Sequence, residues 1–243
     1  GAPLRNRSGK SFLGVSISAF RDVAGSSNFS LTKLNLTLSG NIQISKYQTF
    51  SLGFTGGYGQ TALNAENLQW GNQFDGQVYD SSIPSNETFS FENKQFFDFS
   101  AGILWAYSKA ASTLSSNDRF NAQAGAAIHH ISKPEFTTYS SVGEKLYSRM
   151  ALHANFHIAP SYLSKIAFRP RFQAFLQGPA TEFNTGLMIA YLLEDGSKYT
   201  KHKKGYAINF GFYYRFRDSF SPSIEIELGP FSVGYSYDTN LSG

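Results

Sequence analysis

An all-β chain, folded as a transmembrane antiparallel up-and-down β-barrel, is the expectation that three sequence observations support. Apolar and polar residues alternate with period two from one end to the other, the alternating stretches are long, and helical periodicity is nearly absent. The longest uninterrupted apolar run, Leu187 to Leu193, falls far short of the roughly 20 residues that a helix needs to cross a bilayer. A mean hydropathy of −0.27 does not oppose a membrane location, because two-faced strands average to near neutrality while one face still meets lipid.

The alternation predicts about eleven strands in this chain. They lie near 11 to 22, 29 to 45, 48 to 61, 95 to 108, 118 to 131, 145 to 158, 166 to 177, 182 to 194, 205 to 217, 223 to 229 and 231 to 240. In the second, Leu34, Leu36, Leu38, Ile42 and Ile44 share one face and Lys33, Asn35, Thr37, Ser39, Asn41 and Gln43 the other. In the sixth, Leu146, Met150, Leu152, Phe156 and Ile158 oppose Arg149, His153, Asn155 and His157. In the ninth, Tyr206, Ile208, Phe210, Phe212, Tyr214 and Phe216 oppose Ala207, Asn209, Gly211, Tyr213, Arg215 and Arg217. Soluble strands average roughly 5 to 6 residues and a tilted transmembrane strand needs about 9 to 11, so length favours the membrane. Tyrosines near the strand ends with Ile208, Phe210 and Phe212 between them match aromatic girdles around a lipid band.

The polar faces are small and uncharged where a soluble sandwich would carry Lys and Glu. Gly53, Thr55, Gly57 and Gly59, then Ser100, Gly102 and Ala106, then Asn121, Gln123, Gly125 and Ala127 read as the crowded inner wall of a barrel. Charges on that wall are expected in sets, with a tight hairpin at Ser219 to Pro222 placing Arg215 opposite Glu225. The 243 residues, 16% of them aromatic, exclude disorder, and the absence of cysteine excludes disulfide scaffolds and cysteine-based metal or redox sites. One domain spanning 1 to 243 is expected. The chain has no initiator Met and no basic-then-apolar leader, and reads as a processed or trimmed product.

Outer-membrane barrels place long loops outside and short turns in the periplasm. The Thr61 to Gln95 and Ser132 to Glu144 connections fall on one side, and the tight Ser45 to Gln48 and Gly229 to Pro230 turns on the other, so the long side is assigned to the exterior. The 61 to 95 connection is too rich in large apolar groups for a solvated tether, holding Leu68 and Val78 besides Trp70, Phe74, Tyr79, Phe89 and Phe91. It is expected to fold as a cap or plug on its own barrel or as a partner-binding surface, with Trp70, Gln73, Phe74, Asp75, Tyr79, Phe89 and Phe91 as the candidate residues.

No cofactor or metal site is expected. His129 and His130 should point to opposite faces of a strand, and His153 and His157 share a face roughly 13 Å apart, too far for one ion. They are read as lumen or rim residues. A barrel hydrolase lacks a nucleophile elbow or any convergent acid, base and nucleophile, so the protein is expected not to be an enzyme. Gly56 to Gly59 sits inside a strand, where glycines relieve crowding and do not cradle phosphate. The basic tract Lys198, Lys201, His202, Lys203 and Lys204 suggests a periplasmic turn, solvated or docked to an acidic partner; a net charge of +4 is too small a field to imply nucleic acid. Arg149, Arg169, Arg171, Arg215 and Arg217 line the lumen in the alternative reading, a porin-like channel attracting anions.

Four segments carry a resemblance: Leu68-Gln69-Trp70-Gly71-Asn72-Gln73-Phe74-Asp75-Gly76, Asp98-Phe99-Ser100-Ala101-Gly102-Ile103-Leu104-Trp105, His129-His130-Ile131-Ser132-Lys133-Pro134 and Gly234-Tyr235-Ser236-Tyr237-Asp238-Thr239-Asn240. With the Tyr213-Arg215-Asp218 stretch they resemble the PorP/SprF family over nearly the whole chain. Those proteins are outer-membrane barrels of the Bacteroidetes type IX secretion and gliding motility apparatus. The resemblance implies a non-enzymatic component and three partners: outer-membrane lipid, a secreted adhesin or cargo C-terminal domain whose export and surface attachment it assists, and a periplasmic ring lipoprotein. Two features of the family are absent, an N-terminal Asn-Pro-Ala stretch and a last strand ending in an aromatic residue. The chain is therefore expected to lack terminal strands of a complete barrel of about 14 strands.

Overall fold

The computed structural model describes residues 2–5, 11–25, 28–63, 68–86, 93–108, 120–136, 144–161, 164–194 and 205–241. These build one antiparallel meander in which each strand pairs with its chain neighbour: β1 (Ala2–Arg5), β2 (Ser11–Ala24), β3 (Phe29–Ser45), β4 (Gln48–Ala62), β5 (Lys94–Ser108), β6 (Phe120–His129), β7 (Arg149–Ile158), β8 (Ile166–Gln177), β9 (Ala180–Glu194), β10 (Tyr206–Arg215), β11 (Ser219–Leu228) and β12 (Phe231–Ser236). A short β13 (Thr239–Asn240) continues β12 along β11. Among the described residues the edge strands β1 and β12 do not pair with each other. The up-and-down barrel topology is as expected, with one strand more than the sequence indicated. β1 has only four residues, too short to display a period.

β3 and β8 occupy the expected spans. The hairpin after β10 does not. Its turn is Phe216–Asp218, with Arg217 left-handed at φ 59°, so Arg215 pairs with Ser219 and Glu225 with Asn209. The expected Arg215 to Glu225 contact is absent, and Arg217 lies in the turn and not on the strand wall. Proline ordinarily marks a turn, which is why the sequence points to Pro222. Here it sits within β11, and β12 breaks opposite it at Tyr237–Asp238 before β13 resumes, so its missing N–H disrupts no ladder.

Register puts one apolar and one polar face on the whole sheet. Leu38, Phe54 and Ala101 align across β3 to β5, and Ile189, Phe210 and Ile224 across β9 to β11. The apolar face is open: Ile17 is 73% exposed, Phe97 67% and Phe210 56%. A contiguous greasy surface of this extent has no counterpart on a water-soluble monomer, and lipid is the solvent that suits it. On β5, Phe97 to Tyr107 spans about 33 Å along the strand, or about 25 Å at the usual barrel tilt, the height of a lipid-facing band. At one end Tyr47, Trp105, Tyr107 and Phe120 pack ring to ring, with the indole N–H of Trp105 donating to Gln48 Oε1 at 3.3 Å. Such an amphipathic belt belongs at a membrane interface.

The polar face is the concave one. Arg169 on β8 bonds Glu227 on β11, and three strand spacings, about 14 Å on a flat sheet, separate those strands, so the sheet curls toward the pair. We call the end bearing the 63–93 and 130–148 connections the upper rim and the end bearing Lys46–Tyr47 the lower rim. Both long loops leave one rim, as expected. Connection length does not otherwise divide the rims: tight turns at Gly178–Pro179 and Phe216–Asp218 are also upper, while the 109–119 and 195–204 segments depart from the lower rim.

Candidate functional site

Several polar networks line the concave face among the described residues, three of them between β7 and β11. The first joins four strands: Arg169 reaches Glu227, Asn209 Nδ2 donates to Glu227 Oε1 at 2.9 Å, and Arg169 Nε lies 3.4 Å from His157 Nδ1. Asn209 is fully buried, on a floor made by Ala167 and Ala190, both without exposed surface. Ala190 lies between Ala167 and Asn209 in register, and its small side chain lets groups from β8 and β10 meet above β9. The second network stands above Gly186. Arg171 donates from Nη1 to the Tyr213 hydroxyl at 3.2 Å, and a Cβ on Gly186 would overlap the Tyr213 ring. The third sits nearer the upper rim, where Arg215 faces Asp218 at 2.7 Å and Glu182 at 3.4 Å, and Glu182 also accepts from Asn184.

At the upper mouth His130 Nδ1 lies 2.7 Å from Asp98 Oδ2, with Lys33 Nζ at 4.0 Å, and His129 Nδ1 is 3.2 Å from Ser100 Oγ. Asp98 and Ser100 are both inward positions of β5, so the two histidine rings share a face. The expectation that they oppose each other fails because β6 ends at His129 and His130 is left-handed at φ 57°, which folds its ring back over the wall. The same turn fastens the 130–148 loop to the sheet: Ile131 N donates to Phe99 O, Ser132 Oγ to Phe97 O, and buried Thr61 Oγ1 to Phe136 O at 3.1 Å.

The other long loop is organised around Gln73, which is 8% exposed and ends a 3-10 turn at Gly71–Gln73. Its Oε1 accepts from Trp70 N and the Tyr79 hydroxyl, and its Nε2 donates to Ile83 O. Asp75 Oδ1 accepts from Gln77 N and Val78 N, both at 2.8 Å, in a tight turn closed by a Phe74 to Tyr79 bridge. This framework leaves Phe74, Val78 and Tyr79 exposed. Phe89 and Phe91 lie outside the described residues, as do Lys198, Lys201, Lys203 and Lys204.

The backbone N–H groups of Val78 and Gln77 hold the Asp75 carboxyl below the ordinary value of 3.8, and Ser82 does the same for Asp80. A depressed carboxyl pKa adds stability that is present above the unfolded value and lost as pH falls through the folded one. In a Trp105→Phe background, Trp70 emission is therefore expected to stay constant down to about pH 5 and to change only below about pH 3.8, with Asp75→Asn reducing that acid transition and leaving the share due to Asp80. A change above about pH 5 would contradict this account of the turn.

Of the expected wall residues, Arg149, His153, His157, Arg169, Arg171, Arg215 and Glu225 all occupy inward positions, and Arg149 stacks on Phe175 at 4.3 Å. Glu227 and Glu182 have no place in the sequence expectation, and Lys33, Asn209 and Asp98 enter it only as members of a polar strand face or a motif, although each stands at the polar phase of its strand. A two-faced meander with lipid outside and paired charges within defines an outer-membrane β-barrel protein. The chain belongs to the family described as type IX secretion system membrane protein PorP/SprF, which matches residues 2–243. Neither a curated protein nor a solved structure matches it. It is a membrane component of type IX secretion.

Proposed function

We propose that the protein is a non-enzymatic docking platform of the type IX machinery, with the upper rim facing the cell exterior and the 68–86 loop receiving a secreted adhesin or cargo C-terminal domain. The observation that carries this reading is the loop's construction: Gln73 and Asp75 fix its backbone while Phe74, Val78 and Tyr79 remain in the open. A preordered loop presenting aromatic anchors loses little entropy on binding, the condition under which a few residues supply most of an interface's energy. The Lys198 to Lys204 tract, which lies between β9 and β10 in sequence, is the counterpart for an acidic periplasmic ring lipoprotein. Networks that tie wall arginines to carboxylates favour a scaffold over a free anion path.

Thr61 pairs with Lys94, so a short turn can replace residues 63–93 without disturbing the β4 and β5 ladder. Purified in detergent from its native membrane, the shortened protein is expected to lose the exported partner while keeping its heat-modifiable migration. Retention of that partner would move docking to the lower rim. Steady ion-selective current in planar bilayers would favour the channel instead.

A further inference from the structure

The wall arginines are satisfied in different ways. Arg169 and Arg215 face carboxylates and Arg149 covers a phenyl ring. Arg171 meets the neutral Tyr213 hydroxyl, and among the described residues no carboxylate lies within ion-pair distance of it. It opens into a polar cavity of about 500 Å³ between β6, β7 and β8, whose walls include Asn121, Gln123, Asn155 and Gln173 and no acidic side chain. Asn121 Oδ1 is buried and has no hydrogen-bond partner. A buried acceptor left without a donor is uncommon and calls for something to fill the place.

We propose that this cavity binds a phosphate group. A guanidinium presents five N–H donors in a fixed fork, and Tyr213 engages only one of its nitrogens, Nη1. The carboxamides of Gln123, Asn155 and Gln173 supply further N–H donors around it. A phosphate oxyanion answers both demands of the cavity: its anionic oxygens take the guanidinium and amide protons, and the O–H of hydrogen phosphate donates to Asn121 Oδ1. A carboxylate or sulfate at neutral pH carries no such proton and leaves Asn121 unanswered. Gly186 belongs to the same design, since a side chain there would displace the Tyr213 ring that steadies Arg171. The site lies in the lower-rim half of the wall, apart from the 68–86 loop, so phosphate binding and partner docking can fail separately.

Calorimetric titration of the detergent-purified protein with inorganic phosphate at constant ionic strength tests the assignment, with glycerol phosphate and sulfate as comparison ligands. Saturable phosphate binding is expected. Arg171→Gln should weaken it at least about tenfold, the loss of a charge-assisted contact, and Arg171→Lys less. Sulfate should bind at least about tenfold more weakly than phosphate. Binding of glycerol phosphate alongside phosphate would point to a phosphate monoester as the natural source, and of inorganic phosphate alone to the free ion; both support the site. Ser16→Ala, on the polar face of β2 and outside this cavity, is the folded control and should retain binding. Absence of saturable binding, an unchanged affinity in Arg171→Gln, or equal affinity for sulfate would overturn the proposal.

Discussion

Arginine in place of Phe210 is expected to destabilise the membrane-inserted protein by about 2–4 kcal/mol, the cost of a charge on the lipid face near the bilayer midplane. Phe210 stands between Ile189 and Ile224 in the middle of β10, with 56% of its surface open. Hydrocarbon offers the guanidinium neither water nor a partner, and from mid-strand the side chain cannot easily reach an interface. Ser16→Arg provides the matched control: Ser16 lies on the polar face, opposite Thr37, where a charge stays in an aqueous setting. Urea unfolding in liposomes should show a large loss for Phe210→Arg and a small one for Ser16→Arg. Similar losses at both positions would mean that the two faces share one solvent.

The second large effect belongs to the Arg169 network. Glu227→Leu should cost about 2–3 kcal/mol, because it strands a guanidinium whose carboxylate has gone. The figure falls below that of a wholly buried pair, since Arg169 and Glu227 remain 20% and 31% exposed. Asn209 adds to the loss: fully buried, it gives its amide N–H to the same carboxylate oxygen. Replacing both charges, as Arg169→Met with Glu227→Leu, should recover the part of that stability lost by stranding the guanidinium, since matched apolar groups serve about as well as a desolvated ion pair, while the part due to Asn209 stays lost. A double variant as unstable as the sum of its two single variants would show that the residues act independently.

Strand positions and faces were legible in the sequence because lipid imposes alternation on every strand it touches. Leu34 to Ile44 and Tyr206 to Tyr214 could be sorted by eye, and the inner-wall candidates followed from the opposite phase. Register was less accessible. Arg215 and Glu225 share the polar phase of their strands, yet the turn between them lies at Arg217 and not at Pro222, and moving a hairpin turn changes every partner along the pair. His130 shows the same limit, since one left-handed residue at a strand end reversed the face of a side chain. The loop framework was equally hidden: Gln73 organises it through contacts with Trp70, Tyr79 and Ile83 that no local pattern announces. The Asn209 to Glu227 bond depends on register and curvature together, which composition does not encode.

Which solvent meets which face can be measured directly. The chain has no cysteine, so single cysteines at successive positions from Leu34 to Leu38 can each carry one nitroxide in the reconstituted protein. Collision with oxygen, which concentrates in lipid, should peak at Leu34, Leu36 and Leu38, and collision with a water-soluble nickel chelate at Asn35 and Thr37. Oxygen and nickel accessibilities that rise and fall together, or a protein that stays monodisperse in detergent-free buffer with Leu36 shielded, would contradict the membrane-spanning barrel.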